Sequence, residues 1–220
     1  MTRMPTLFIP HGGGPCFFME WDPPDTWDRH RSFLETPPAS LPEKPKALLV
    51  ISGHWEAREF TVQSNPAPPL LFDYNGFPQH TYELTWPAPG DPALATRVGE
   101  LLQGAGFETG TDTARGFDHG VFVPLKLVFP EADIPTVQLS LRSDLDPDAH
   151  LAVGRALAPL RDEGVLIIGS GLADRSSDMP RSRRTQPQAC AVVAGTGWAR
   201  RQSARRALDP VACRRGRGGH

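Results

Sequence analysis

KALLVIS (residues 46–52) and GVLIIGS (164–170) decide the fold class. Each is apolar at almost every position over the length of one strand, with no polar–apolar alternation. A strand hydrophobic on both sides has to be covered on both sides, which is the condition of strands in a mostly parallel sheet between layers of helix. PTLFIP (5–10) and IPTVQLSL (134–141) read as two further strands. Between them, Asp91-Pro92 reads as a helix cap followed by proline at the first helical position. Leu94, Val98, Leu101 and Leu102 then recur at helical spacing up to Gly104 and Gly106. Asp146-Pro147 opens a second such helix, with Leu151, Ala152, Leu157 and Leu160 on its apolar stripe, and it closes at Gly164. Residues 56–90 are rich in proline and show no clear period, so they read as a long loop or an edge hairpin over one end of the sheet. The expected architecture is α/β: a single domain with a mostly parallel central sheet flanked by helices, followed by an irregular basic C-terminal tail.

The 220 residues carry a formal charge of −2, 39% hydrophobic and 22% charged residues, which is ordinary for a soluble globular protein. A balance so near neutral argues against nucleic-acid or membrane-surface partners. No apolar run approaches the ~18 residues of a membrane span. The first ten residues, MTRMPTLFIP, are interrupted by Pro5 and Pro10 and do not read as a signal peptide. Three cysteines, at 16, 190 and 213, are few and odd in number, which fits a reducing cytoplasm. The average charge hides a division. Residues 1–173 hold 12 basic and 22 acidic side chains, whereas residues 174–220 hold 11 Arg, no Lys, no Glu and 3 Asp. The second part has no usable period and reads as a disordered basic tail, an RNA-binding arm with Trp198 as its single aromatic, or an out-of-frame product of a GC-rich gene.

Seven histidines are present, at 11, 30, 54, 80, 119, 150 and 220. Three stand in contexts suited to a site. His11 opens HGGGP directly after the first strand, where glycines let backbone or ligand approach closely. His54 lies in SGHW after the second strand, and His119 lies in GFDHG ahead of the apolar VFVPL. Ligands of open α/β sheets bind beyond the carboxyl ends of strands. Imidazoles at two such ends can face one crevice, where they suit Fe(II) or Zn(II). The competing reading of each histidine is a hydrogen-bonded structural residue: His119 anchoring a turn through Asp118, His30, His80 and His150 on surface or helix positions, His220 solvated. HGGG also resembles an esterase oxyanion-hole motif, but the nearest serine context, Ile168-Gly169-Ser170-Gly171-Leu172, lacks both outer glycines of the nucleophile elbow.

HGGGP, SGHW, YNGFPQHTYELTWPAPGDP (74–92), RGFDHGVFVPL (115–125), IPTVQLSL and the GSG after the last strand occur in this order. Together they resemble the DODA-type extradiol aromatic ring-opening dioxygenases, relatives of the class III, protocatechuate 4,5-dioxygenase-like enzymes. The resemblance covers residues 5–172, so residues 1–173 read as an incomplete domain of this kind. It implies one mononuclear Zn(2+) or Fe(2+) site, a small catechol substrate of the DOPA or protocatechuate type, O2 as co-substrate, and a cytoplasmic enzyme. His11 and His54 match two metal-ligand positions, and His119 matches an acid/base histidine of the second shell; Phe77, Tyr82 and Trp86 are candidates to wall an aromatic pocket. The resemblance also implies a further ligand His followed by Asn after the GSG strand, and a later His in a Pro-Glu-His-like segment. Arg175 occupies the first of these positions, and the second has no match, since His220 stands in RGRGGH. Other readings of the same residues are an impaired, truncated homologue that binds metal weakly, a zinc-dependent hydrolase, and a basic-tailed binding protein.

Overall fold

The computed structural model describes residues 2–171; the tail 174–220 and Arg175 lie outside the described residues. The strands are β1 (Thr6–Pro10), β2 (Ala47–Ala57), β3 (Phe60–Gln63), β4 (Thr109–Asp112), β5 (Thr136–Arg142) and β6 (Val165–Gly171). The helices are α1 (Asp28–Glu35), the single turn α2 (Pro37–Ser40), α3 (Pro92–Gly104), α4 (His119–Val128) and α5 (Pro147–Ala156). The strands form one sheet in the order β1-β6-β2-β5-β3-β4. Every adjacent pair is parallel except β3 against β5. The α/β architecture expected from the sequence is the one observed. Among the described residues no helix is long and apolar enough to cross a membrane.

The continuous apolar runs are explained by two cores, one on each face of the sheet. From β2 and β6, Leu48, Val50, Leu166 and Ile168 enter the core shared with Leu34 of α1 and with Val121, Phe122, Leu125 and Val128 of α4. The alternate residues Ala47, Leu49, Ile51, Val165 and Ile167 enter the opposite core, with Leu94, Val98 and Leu102 of α3 and Val153 of α5. Leu48, Leu49, Leu166 and Val98 have no accessible surface. Truncating one such leucine to alanine leaves a cavity and costs about 2–5 kcal/mol. α3 begins where its cap predicts, Asp91 accepting from the Leu94 N–H at 2.9 Å with Pro92 as the first helical residue. Asp146 caps α5 in the same way through the Asp148 N–H at 3.0 Å.

Four elements depart from the sequence reading. IPTVQLSL alternates: Val137, Leu139 and Leu141 join the α3/α5 core, while Thr136, Gln138 and Ser140 are buried polar residues. Residues 56–90 contain strand β3. The stretch from His119 through VFVPL is helix α4, with Pro124 inside it. β2 runs three residues past His54, although its pairing with β5 slips between Ile51 and Glu56 and its pairing with β6 ends at Ser52. His54 therefore stands on an unpaired bulge within the strand rather than after it.

His150 is fully buried on α5 instead of lying at the surface. Its Nδ1–H donates to the Asp146 carbonyl at 2.7 Å and its Nε2 accepts the Arg142 N–H at 3.2 Å, an arrangement that only the neutral ring can complete. Burial pushes its pKa below the ordinary 6.5. Between the lowered folded value and 6.5 the unfolded chain holds the extra proton, so the stability contributed by His150 is complete above pH 6.5 and declines as pH falls. Denaturant unfolding of the His150→Asn variant at pH 7.5 is expected to show a loss of about 1–3 kcal/mol. A pH series should show a shallower acid-side decline than that of the unchanged protein; an identical decline would remove His150 as a source of the pH dependence.

Candidate metal centre

A strand end, a strand bulge and a helix start place the histidines. β1 delivers His11, whose N–H donates to the Gly171 carbonyl at the end of β6 at 3.3 Å. The bulge of β2 delivers His54, and His119 is the first residue of α4. His11 and His54 face each other with Nε2 atoms 2.8 Å apart. The His119 ring lies 4.0 Å from the His54 ring and 5.4 Å from the His11 ring, centroid to centroid. One ligand nitrogen from each of the three lies within 4.8 Å of the others, close enough to hold a metal ion together. His11 and His119 are buried, whereas the His54 side chain is 32% exposed. The structure thus brings together all three residues singled out in the sequence. His30 and His80 are elsewhere, donating to the Pro10 and Phe18 carbonyls at 2.7 and 2.9 Å.

The hydrogen bonds behind the rings assign their tautomers. Ser170 Oγ–H donates to the Gly120 carbonyl in a short hydrogen bond. Its oxygen therefore accepts from His11 Nδ1–H at 3.0 Å, and His11 presents a bare Nε2. Ser170 is fully buried in this arrangement and is not placed as a nucleophile. Asp73 accepts from both the backbone N–H and the Nδ1–H of His119, at 3.0 and 2.7 Å, so His119 also presents a bare Nε2. With His119 in its neutral form, His54 offers a third bare nitrogen if it carries its proton on Nδ1, the atom facing Asp73 Oδ2 at 3.9 Å. Neutral imidazoles with their outer nitrogens tied to hydroxyl or carboxylate partners are the donor set of a divalent transition-metal site. The residues present fit such an ion.

Electrostatics keep the His11 and His54 rings in that state. Burial, reinforced by the neighbouring His54 and His119, holds His11 well below the ordinary 6.5. Burial and then His119 lower His54 as well, against the opposing influence of Asp118 and Asp73. Burial alone would raise the Asp73 carboxyl; the hydrogen bonds from the side chain and backbone of His119 outweigh it and leave Asp73 below its usual value, hence ionised.

Asp118 does not anchor a turn through His119. Its carboxylate is fully buried and accepts from Ser52 Oγ–H at 2.7 Å, from Arg115 Nη2 at 3.1 Å and, in a short bond, from Gln138 Nε2. Ser52 Oγ in turn accepts the His54 N–H at 3.2 Å, satisfying backbone that the bulge leaves without a ladder partner. Arg115 also covers the next residue along, its guanidinium 4.3 Å from the Trp55 ring. His54 is held from both sides by the segment ahead of α4. Of the proposed aromatic wall, Phe77 and Tyr82 do lie together, the Phe77 N–H donating to Tyr82 at 3.4 Å, beside Tyr74, whose ring is 5.8 Å from His119. Trp86 instead packs on Phe117 inside the core. Sequence reasoning missed Asp73, Ser170, Ser52 and Asp118 as supports; the quoted motif YNGFP begins one residue after Asp73, and no local pattern marks its partner.

The sequence profile described as the catalytic LigB subunit of aromatic ring-opening dioxygenase matches residues 5–189. The chain belongs to this family. It is 46% identical over 175 residues to the 4,5-DOPA dioxygenase extradiol of Beta vulgaris, a match covering 79% of this chain and 63% of that protein. It is 42% identical over 170 residues to the 4,5-DOPA dioxygenase extradiol of Escherichia coli K12, covering 77% and 59%. The crystal structure of an uncharacterized E. coli K12 protein superimposes with a TM-score of 0.57 at 36% identity, covering 76% of this chain and 59% of that one. The chain thus spans less than two thirds of the length of these relatives.

Gly120 sits at a tight contact between α4 and the bulge of β2. A Cβ there would lie 2.5 Å from Ser52 Oγ, 2.9 Å from His54 Cδ2 and 3.1 Å from Asp118 Oδ1. Gly120→Ala is expected to destabilise the fold by about 1–3 kcal/mol, as overpacking does, and to push the His54 ring away from His11. Chemical denaturation and a crystal structure of the variant check both; unchanged stability with an unmoved ring would contradict the contact.

Proposed function

We propose that this chain is the catalytic core of an extradiol dioxygenase that opens a catechol-type ring, DOPA- or protocatechuate-like, with O2. The observation that carries the reading is the pair of imidazoles at 2.8 Å with a third ring, backed by an ionised carboxylate, beside them. His11 and His54 would hold the metal through Nε2, and His119 serves as the proton acceptor and donor. When bound, Fe(II) supplies the electron transfer to O2 that redox-inert Zn(II) cannot. The protein's own part is to bind, orient and move protons. Gly13 is exposed, and nothing lies within 4 Å of where its side chain would be, so the strand-end floor next to His11 is open to a flat ring. Tyr74 and Phe77 stand edge to face at 5.4 Å and give an apolar wall on the His119 side. The bare His119 Nε2 can take a catechol hydroxyl proton, while Asp73 at Nδ1 stabilises the imidazolium that results and keeps the ring aimed. The same nitrogen can return the proton to an oxygen of the opening ring.

Anaerobic loading with Fe(II), followed by a catechol and air, is expected to give a yellow ring-cleavage product. His119→Ala should retain metal and lose about 10²–10⁴-fold in turnover, whereas His11→Ala and His54→Ala should lose the metal, as measured by elemental analysis. If His119→Ala also loses metal, the third ring is a ligand and not the base. Absence of ring cleavage with every catechol, or oxygen-independent turnover of an ester, would overturn the reading.

A further inference from the structure

The polar partner that orients His11 depends on a proline in the second turn of α4, in the neighbouring layer. Pro124 lies inside α4, past its first turn. A proline has no N–H, and in a helix the missing donor would have served the carbonyl four residues back. Here that carbonyl belongs to Gly120. It therefore has an acceptor site that the helix does not use, and the pyrrolidine ring crowds it away from the helix axis. The donor that takes it is Ser170 Oγ–H, from the end of β6. Both Ser170 and Gly120 are buried, so no bulk water competes for either end of that bond. With its proton committed to Gly120, the Ser170 oxygen can only accept, and what it accepts is His11 Nδ1–H at 3.0 Å.

We propose that Pro124 is a positioning residue of the metal centre: by leaving the Gly120 carbonyl without a helical donor it orients the Ser170 hydroxyl, and through it fixes His11 in the tautomer whose Nε2 is bare. An ordinary residue at 124 would return an N–H to Gly120. Ser170 Oγ–H would then be free to turn toward His11 Nδ1 and donate, which places the imidazole proton on Nε2, the atom that has to face the ion. Packing alone does not account for a proline here, since any apolar residue of similar volume fills the same core space with an intact helix. The proposal rests on His11 being a metal ligand, but its first readout does not.

The test uses the full chain labelled with 15N-histidine. In the metal-free protein, long-range 15N–1H correlation is expected to show His11 as the Nδ1–H form. Pro124→Ala should shift it substantially to the Nε2–H form while circular dichroism and thermal melting show a folded protein. Ser170→Ala should release the tautomer in the same way without touching the helix, so the inference stays testable if Pro124→Ala folds poorly. In a second arm, titration with Zn2+ is expected to give an affinity lower by about 10–100-fold for each variant, with no further loss when the two are combined. A Pro124→Ala protein that keeps both the Nδ1–H form and the affinity of the unchanged chain overturns the proposal, as does a Ser170→Ala protein that keeps both. If His11→Ala binds Zn2+ as tightly as the unchanged chain, the metal reading fails; a tautomer that still follows residue 124 in that case upholds the hydrogen-bond relay by itself.

Discussion

The first turn of α4 has to lie almost in contact with the bulge of β2 and the end of β6, and the site exists because it does. Asp118, His119 and Gly120 each serve a different imidazole from that one turn. The Asp118 carboxylate takes the Ser52 hydroxyl, which in turn takes the His54 N–H. His119 is itself the third ring. The Gly120 carbonyl takes the Ser170 hydroxyl that receives His11 Nδ1–H. Only glycine permits the approach, because its Cα lies where a side chain would meet Ser52 and His54. The apolar residues Val121, Phe122 and Leu125 that follow press the turn against the sheet through the core they share with Leu48, Val50 and Ile168. Hydrophobic burial, which has no direction, supplies the force; the hydrogen bonds at the end of the helix convert it into the orientation of three rings.

That division is visible along β5. On the α3/α5 side its residues are Val137, Leu139 and Leu141, which join the apolar core there. On the other side Gln138 donates to Asp118 and Ser140 Oγ accepts the Thr61 N–H at 2.8 Å. A fully buried carboxylate is expensive to desolvate unless its lone pairs are filled, and Asp118 has three side-chain donors, one of them charged. Gln138 of β5 and Ser52 of β2 thus place polar groups where the ligand-bearing bulge needs support.

The sheet was legible in KALLVIS and GVLIIGS because strands buried on both faces cannot alternate, and α3 and α5 were legible because Asp-Pro caps coincide with a helical apolar period. α4 was not, since Gly120 and Pro124 both argue against helix and burial all round erases the period. The short β3 and β4 pair with each other across 45 residues of intervening chain and carry too few residues to show a pattern. His11, His54 and His119 could be found because each sits next to glycines at an abrupt change from apolar sequence. Their supports could not. Asp73 meets His119 from 46 residues away and Ser170 meets His11 from 159 away, and separation of that kind leaves no local trace in composition or spacing.

The unequal exposure of the three rings has a kinetic side. His11 and His119 are sealed, while a third of His54 is open. Among the described residues, His54 is the most exposed of the three rings, so an ion reaching the nitrogen cluster meets it and the bulge that carries it. The stretch from Ser52 to Trp55 is tied down by Asp118 and Arg115, so residence of an ion there depends on how stiffly those two side chains hold the most accessible ring.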